Sequence, residues 1–223
     1  MKSNPEHLSY EEEYHSQRHK EHFDEIYYEA RAKIGLDKYF KGIPIDSKIL
    51  DYGCGFGQNI FFLKNATGFD ISNYSISFCK QKGINATTNP EDLIDNSFDY
   101  AFSSHALEHH PHPKDMLETI KAKLKSGQDL ILVIPYEIHS KTSLTMGFNQ
   151  HLYCWNFTTI NNLLISCGYK VKSNRYHRGA AYNKLLFLYK VNFTLYKLAT
   201  IIAAILFGVK EIEVVATKLT DSK

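Results

Sequence analysis

Cysteine is scarce: four residues in 223, at 54, 79, 154 and 167, with no C-x-x-C pair among them. A chain of this length buries a sizeable core without covalent staples, so the scarcity excludes a disulfide framework and points to a reducing, cytoplasmic setting. An excess of one charge is missing as well. Lys and Arg number 26 against 24 Asp and Glu, a formal +2, and no dense Lys/Arg run forms the basic stripe that nucleic-acid binding calls for. Long apolar runs are also lacking. Met1 to Lys41 is rich in Glu, Lys and His and has no apolar centre of a secretory signal. The uncharged stretch Leu198 to Val209 (LATIIAAILFGV) falls short of the ~18–20 residues that cross a bilayer, which predicts a buried or interfacial helix. Hydrophobic residues at 43% and charged residues at 22% are the proportions of an ordinary folded domain, without internal repeats or low-complexity tracts.

What is present changes character along the chain. Residues 10–34 predict an amphipathic helix with Phe23, Ile26, Tyr27, Ala30 and Ile34 on one face, and Pro44 breaks that pattern. From Lys48 onward short apolar runs alternate with helical segments. Strands are expected at 48–51, 66–70, 84–88, 98–104 and 129–136. Helices are expected at 58–64, 73–82 and 114–124, the last entered through Pro111 and Pro113 and stopped by Gly127. The run DLILVIPY at 129–136 shows no polar alternation, as in a strand covered on both faces. This rhythm predicts an α/β fold, a doubly wound, mostly parallel sheet. A helix at 158–166 closed by Gly168, a strand at 169–176, an apolar helical insertion within 180–209 and a final strand at 211–219 complete the chain. With no linker in sight, the expected organisation is one domain over 1–223: a helical arm (1–44), a ligand-binding core (45–176), an insertion or lid (177–210) and the last strand (211–219).

The most informative stretch is ILDYGCGFG at 49–57. A strand that feeds a glycine-rich turn into a helix places free backbone N–H groups and a positive helix end beside a ligand, and glycine permits both the turn and the close approach. A dinucleotide fingerprint needs G-x-G-x-x-G, and counting from Gly53 its third glycine falls on Gln58. The spacing is instead D-x-G-x-G-x-G, with Asp51 two residues ahead of the first glycine. A carboxylate there repels a pyrophosphate and can hold an ammonium group, which favours a zwitterionic, adenosine-containing ligand.

With these residues in view, the sequence resembles the class I S-adenosylmethionine-dependent methyltransferases. The likeness runs from about Lys48 to the end. It rests on ILDYGCGFG (49–57), GFDIS (68–72), SFDYAFSSHALEHHPHP (97–113), LKSGQDLILVIP (124–135) and HLYCWNFTTINNLLISCGYKV (151–171), in that order. The resemblance implies the seven-stranded Rossmann-like sheet of that family and S-adenosyl-L-methionine as cofactor. It also implies that Asp51, Gly53, Gly55 and Gly57 hold the amino acid end of the donor. Asp70 would accept from the ribose hydroxyls beside Ile71, a role that suits a carboxylate. Asn89, Glu91, Asp92 and Leu93 fall where the family contacts adenine, in a loop that is shortened here. Ser103 and Ser104 fall near the methionine portion.

On the acceptor side, methyl transfer to a hydroxyl calls for proximity and often a base. Four histidines cluster at 105, 109, 110 and 112. His109, in the LEH triplet that recurs in the resembled family, and His151, which heads HLYCW, are the catalytic candidates; for the others a polar surface loop is the plainer reading. The histidine spacing does not match a compact zinc site, so metal independence is expected. SSHA stands at 103–106 in place of the Asn/Asp-Pro-Pro-aromatic box of enzymes that methylate amino groups of bases, which disfavours such substrates. The expected partner is a small-molecule or carrier-linked glycan acceptor methylated on oxygen, not a nucleic acid. Tyr14 and His15 are candidate lid contacts. The apolar segment 184–209 is a candidate lid, homodimer contact or peripheral membrane patch. The alternatives are a catalytically silent S-adenosylmethionine-binding partner and, against the glycine spacing, a nicotinamide-dependent oxidoreductase.

Overall fold

The computed structural model describes residues 20–137, 151–178 and 182–220; the candidates Tyr14 and His15 lie outside them. Seven strands form one sheet: β1 (Ile49–Tyr52), β2 (Ala66–Phe69), β3 (Ala86–Thr87), β4 (Phe98–Ser104), β5 (Leu124–Pro135), β6 (Tyr169–His177) and β7 (Glu211–Lys218). Their spatial order is β3-β2-β1-β4-β5-β7-β6. The first five are parallel, and β7 runs antiparallel between β5 and β6. The helices are α1 (Glu25–Tyr39), α2 (Asn73–Gln81), α3 (Pro113–Lys123), α4 (Phe157–Ser166), α5 (Leu186–Val191) and α6 (Phe193–Leu206).

Period-two side-chain alternation explains why the central strands read as unbroken apolar runs. On β5, Leu130, Leu132 and Ile134 join a core with α3 and α4 through Leu117, Ile120, Ile160 and Leu164. The intervening Ile131 and Val133 join a second core on the opposite face, with Tyr28 and Tyr39 of α1 and Ile76 of α2. Both faces are covered, so neither needs polar residues. A third, smaller cluster packs the insertion on the arm: Tyr196 of α6 is buried against Ala30 and Ile34 of α1.

Three expectations are corrected. First, residues 58–64 form no helix. The stretch runs as successive turns, Ile60 N–H to Gly57 C=O and Leu63 N–H to Ile60 C=O, because only thirteen residues separate the end of β1 from β2. Second, Gly127 does not stop α3: Leu124 caps that helix and is already the first residue of β5, with Gly127 at φ +74 where the β4–β5 register shifts. Third, the arm helix turns a different face inward. Ala30 and Ile34 are buried as expected, but Tyr28, Ala32 and Tyr39 are buried too, while Phe23 and Ile26 are exposed. The helix packs on the sheet along one side and on the insertion along another, so a single stripe underdescribes it.

The chain leaves β1 toward β2 and β3 on one side and returns to β4 on the other. The connections therefore diverge above the carboxyl ends of β1 and β4, the crevice where open α/β sheets bind ligands.

Candidate active site

The glycine turn occupies that crevice. Gly53, Gly55 and Gly57 have φ of +80°, +52° and +71°, a left-handed backbone that other residues adopt at a cost of roughly 1–2 kcal/mol each. A Cβ on Gly53 would sit 2.4 Å from Cβ of Ala106, and one on Gly57 would sit 2.7 Å from Ile84, so these two glycines also permit close packing. A Cβ on Gly55 would meet nothing within 4 Å: this is the open side of the turn. The Gly55 N–H donates to Oδ2 of Asp70 at 2.8 Å, and the Ser72 N–H donates to Oδ1 at 3.0 Å. From the arm, the Tyr28 hydroxyl donates to the Phe56 carbonyl at 2.8 Å, and the Phe56 ring packs 4.6 Å from that of Phe78.

Beneath the turn lies Asp51. It is fully buried, and neither carboxylate oxygen has a hydrogen-bond partner among the described residues. Burial, and then the nearby Asp70 carboxylate, push its pKa well above the ordinary range. An unpaired buried polar group costs ~1–3 kcal/mol, and a ligand ammonium would satisfy both oxygens at once. A pyrophosphate would add negative charge against two carboxylates, and without a helix at 58–64 no positive helix end follows the turn to offset it. The residues fit the zwitterionic end of S-adenosylmethionine.

Asp70 stands at the mouth beside Ile71, which is 66% exposed and offers an apolar surface next to the carboxylate. Across from it a short 3-10 turn, Pro90–Asp92, is capped by Asn89, whose Oδ1 accepts from the Glu91 N–H. The Asp92 carboxylate accepts from the Thr87 hydroxyl at 2.5 Å and from Nδ2 of Asn89 at 3.2 Å. The Leu93 side chain is packed in the core, so only its backbone is left to face a ligand. Ser103 is fully buried and its hydroxyl donates to the Tyr52 carbonyl at 2.7 Å, bracing β4 against β1 under the turn.

Next to the turn, through the Gly53–Ala106 contact, comes a cluster that the sequence reading assigned to a surface loop. His105 has a left-handed φ of +55°, which is uncommon outside glycine. Its Nε2 lies 3.0 Å from Oε1 of Glu211 and its Nδ1 lies 3.3 Å from Oε1 of Glu108. Burial works against a charged imidazole, but the two carboxylates outweigh it and raise the His105 pKa to about 9. Burial would likewise raise Glu211; His105, Lys38 and Arg31 reverse that and hold it well below the carboxylate range. Lys38 Nζ pairs with Oε2 of Glu211, which also accepts from the Tyr39 hydroxyl at 2.8 Å. His105 is therefore an imidazolium fastening the β4 loop to the start of β7, and α1 supplies the remaining positive charge.

His109 and His151, far apart in sequence, meet edge to face with ring centroids 4.8 Å apart. His109 Nε2 is 4.0 Å from Oε1 of Glu108, and His151 Nδ1 is 2.8 Å from Oε1 of Glu137. Glu108, His109 and His151 bring one potential ligand atom each within 4.8 Å of one another, a grouping that spacing within 105–112 alone does not reveal. Glu108 is buried and faces the His105 imidazolium.

The structure thus brings Gly53, Gly55, Asp70 and Ile71 together at the glycine turn with Asp51 buried beneath it, and packs His109, on the segment that follows Ala106, against His151. It gives Ser103 and Leu93 bracing and packing contacts. Sequence reasoning missed His105, Glu108, Glu137 and Glu211. Glu211 carried a readable signal, an acidic pair with Glu213 opening an otherwise apolar strand.

Compared with known proteins, residues 14–174 match a family model described as a methyltransferase domain. No curated protein sequence matches the chain. Among solved structures, a SAM-dependent methyltransferase from Archaeoglobus fulgidus is similar at 22% identity and TM-score 0.55, covering 84% of this chain and 92% of that one. Haemonchus contortus phosphoethanolamine N-methyltransferase 2, in complex with phosphomonomethylethanolamine and S-adenosylhomocysteine, is similar at 15% identity and TM-score 0.62, covering 97% of this chain and 62% of that one. The [4+2]-cyclase SpnF is similar at 15% identity and TM-score 0.59, covering 85% and 80%. At these identities the likeness is one of fold.

Proposed function

The chain belongs to the methyltransferase-domain family, an S-adenosylmethionine-dependent group, and from that premise we propose that it methylates a hydroxyl of a small or carrier-linked acceptor, a sugar or another metabolite. The observation that carries the donor end is the buried, doubly unpaired Asp51 carboxylate under the open side of Gly55. In this reading Asp51 and the Gly53–Gly55 backbone hold the amino acid end, Asp70 the ribose and Ile71 a face of the base. Bound there, S-adenosylmethionine would supply an electrophilic methyl group and a thioether leaving group that keeps the electron pair of the broken bond.

The acceptor chemistry rests on the His151–Glu137 pair. A carboxylate only accepts, so the hydrogen bond at 2.8 Å places a ring proton on Nδ1 and leaves Nε2 as the ring nitrogen that can carry a lone pair. That is the form of a general base held by an orienting carboxylate. His151 Nε2 takes the proton that the acceptor hydroxyl sheds, and His109 packs edge-on against the base and holds its ring. His105 plays a different part: with a pKa of about 9 it is protonated at neutral pH and donates rather than accepts. In this reading the arm and the insertion select the acceptor, as the family resemblance implies.

The test is turnover with S-adenosylmethionine against a panel of sugar and metabolite hydroxyls. His151→Ala is expected to lose about 10²–10⁴-fold in kcat with donor affinity unchanged, the usual contribution of a positioned base. Donor binding without product across hydroxyl and amine acceptors would overturn the reading in favour of a silent binding partner; product on amines alone would overturn the oxygen assignment.

A further inference from the structure

Helix α6 is apolar on both sides. Its inward face, Tyr196, Thr200 and Ala204, recurs every four residues and is buried, with Tyr196 packed against Ala30 and Ile34 of the arm. Its outward face carries Leu195, Leu198, Ile202 and Ile205, spaced at alternating three and four residues, and all are 46–58% exposed. Exposed apolar residues continue at both ends, Phe187 and Val191 of α5 before the helix and Leu206 and Phe207 at its close, all 62–76% exposed. Soluble proteins rarely leave so large a contiguous apolar face uncovered. At 14 residues α6 is about 21 Å long, too short for a hydrocarbon core about 30 Å thick, and no described helix is long and apolar enough to cross a membrane.

The charge around the stripe says what covers it. From Tyr182 to Lys210, the segment that carries the stripe, the sequence has four lysines (184, 190, 197 and 210) and no acidic residue. Lys184 and Lys190, which border the stripe on the α5 side, are exposed. Lys197 is paired with Asp37 of α1 and the Tyr189 hydroxyl donates to Glu29, but Lys184 and Lys190 have no carboxylate on their own segment. This apolar face with its exposed lysines is therefore complementary to a bilayer surface bearing anionic headgroups, whereas a second copy would bring the same positive charge against itself.

We infer that the outward face of α5–α6 docks the protein on an anionic phospholipid membrane, with α6 lying in the plane of the interface. Leu198, Ile202, Ile205 and Phe207 enter the acyl boundary, and Lys184 and Lys190 meet the headgroups. The inference does not depend on which atom the enzyme methylates, and the surface is separate from the Asp51–Asp70 mouth.

Flotation of the full chain with vesicles tests it. The chain is expected to float with vesicles of phosphatidylcholine containing about one quarter phosphatidylglycerol, and weakly with phosphatidylcholine alone, with the difference shrinking in high salt. Ile202→Asp/Ile205→Asp should abolish flotation, and Lys184→Ala/Lys190→Ala should lower anionic partitioning about tenfold or more. Both pairs sit on the exposed side, so S-adenosylhomocysteine binding should persist and show that the fold is intact. Failure of the native chain to float would overturn the inference. So would flotation that survives the aspartates, or a native dimer that the aspartates convert to monomer while neither form floats.

Discussion

At the scale of the residue, the account turns on a carboxylate that the ligand-free fold leaves unsatisfied. Asp51 has a folded pKa raised above its unfolded value, so the native state holds the proton more tightly, and this site loses stability as pH rises above the ordinary Asp value near 3.9. Asp51→Asn should therefore raise the melting temperature of the ligand-free chain, by about 2–4 °C for a gain of ~1 kcal/mol, while donor binding falls by tenfold or more. Calorimetry with S-adenosylhomocysteine checks both ends. An ammonium beside Asp51 favours its charged form, so binding should be coupled to proton release, read from the dependence of the heat on buffer ionisation. Loss of affinity without a gain in stability would mean that Asp51 is satisfied in the free protein.

At the scale of the element, Gly53 marks where the two halves of the site touch. Gly53→Ala places a methyl group 2.4 Å from Ala106 and on a left-handed backbone, so destabilisation of about 2 kcal/mol or more and loss of donor binding are expected, measured by urea unfolding and calorimetry. The donor half was legible in the sequence because its residues are local: a strand, an aspartate and three glycines within nine positions imply a turn and its chemistry. The β4 and β5 strands were legible because burial on both faces leaves a continuous apolar run. Residues 58–64 misled because their composition suits a helix, whereas the short link to β2 leaves room only for turns. The acceptor histidines 109 and 151 were legible as residues, but the ionic cluster beside them was hidden for a different reason. His105, Glu108, Glu211 and Lys38 have meaning only together, and 173 positions separate Lys38 from Glu211. No periodicity links an arm helix to the first residue of the last strand.

At the scale of the whole molecule, that same cluster ties arm, sheet and last strand into one pH-sensitive unit. His105 has a folded pKa raised from 6.5 to about 9, so its contribution is fully present below pH 6.5 and is lost as pH rises through 9. Glu211 and Glu213 are depressed and contribute above the ordinary Glu range, losing that contribution as pH falls through their folded values. The melting temperature should accordingly drop between pH 7 and 9.5. His105→Gln should melt lower than the native chain at pH 7 and lose most of that drop; an unchanged alkaline slope would remove His105 from this role.

One measurement reaches the centre of the account: titration of the full chain with S-adenosylhomocysteine and, separately, with a reduced nicotinamide dinucleotide. The account predicts saturable micromolar binding of the first, lost in Asp70→Ala, and no heat from the second. Binding of the dinucleotide in place of the thioether nucleoside, or heat from neither, would contradict it.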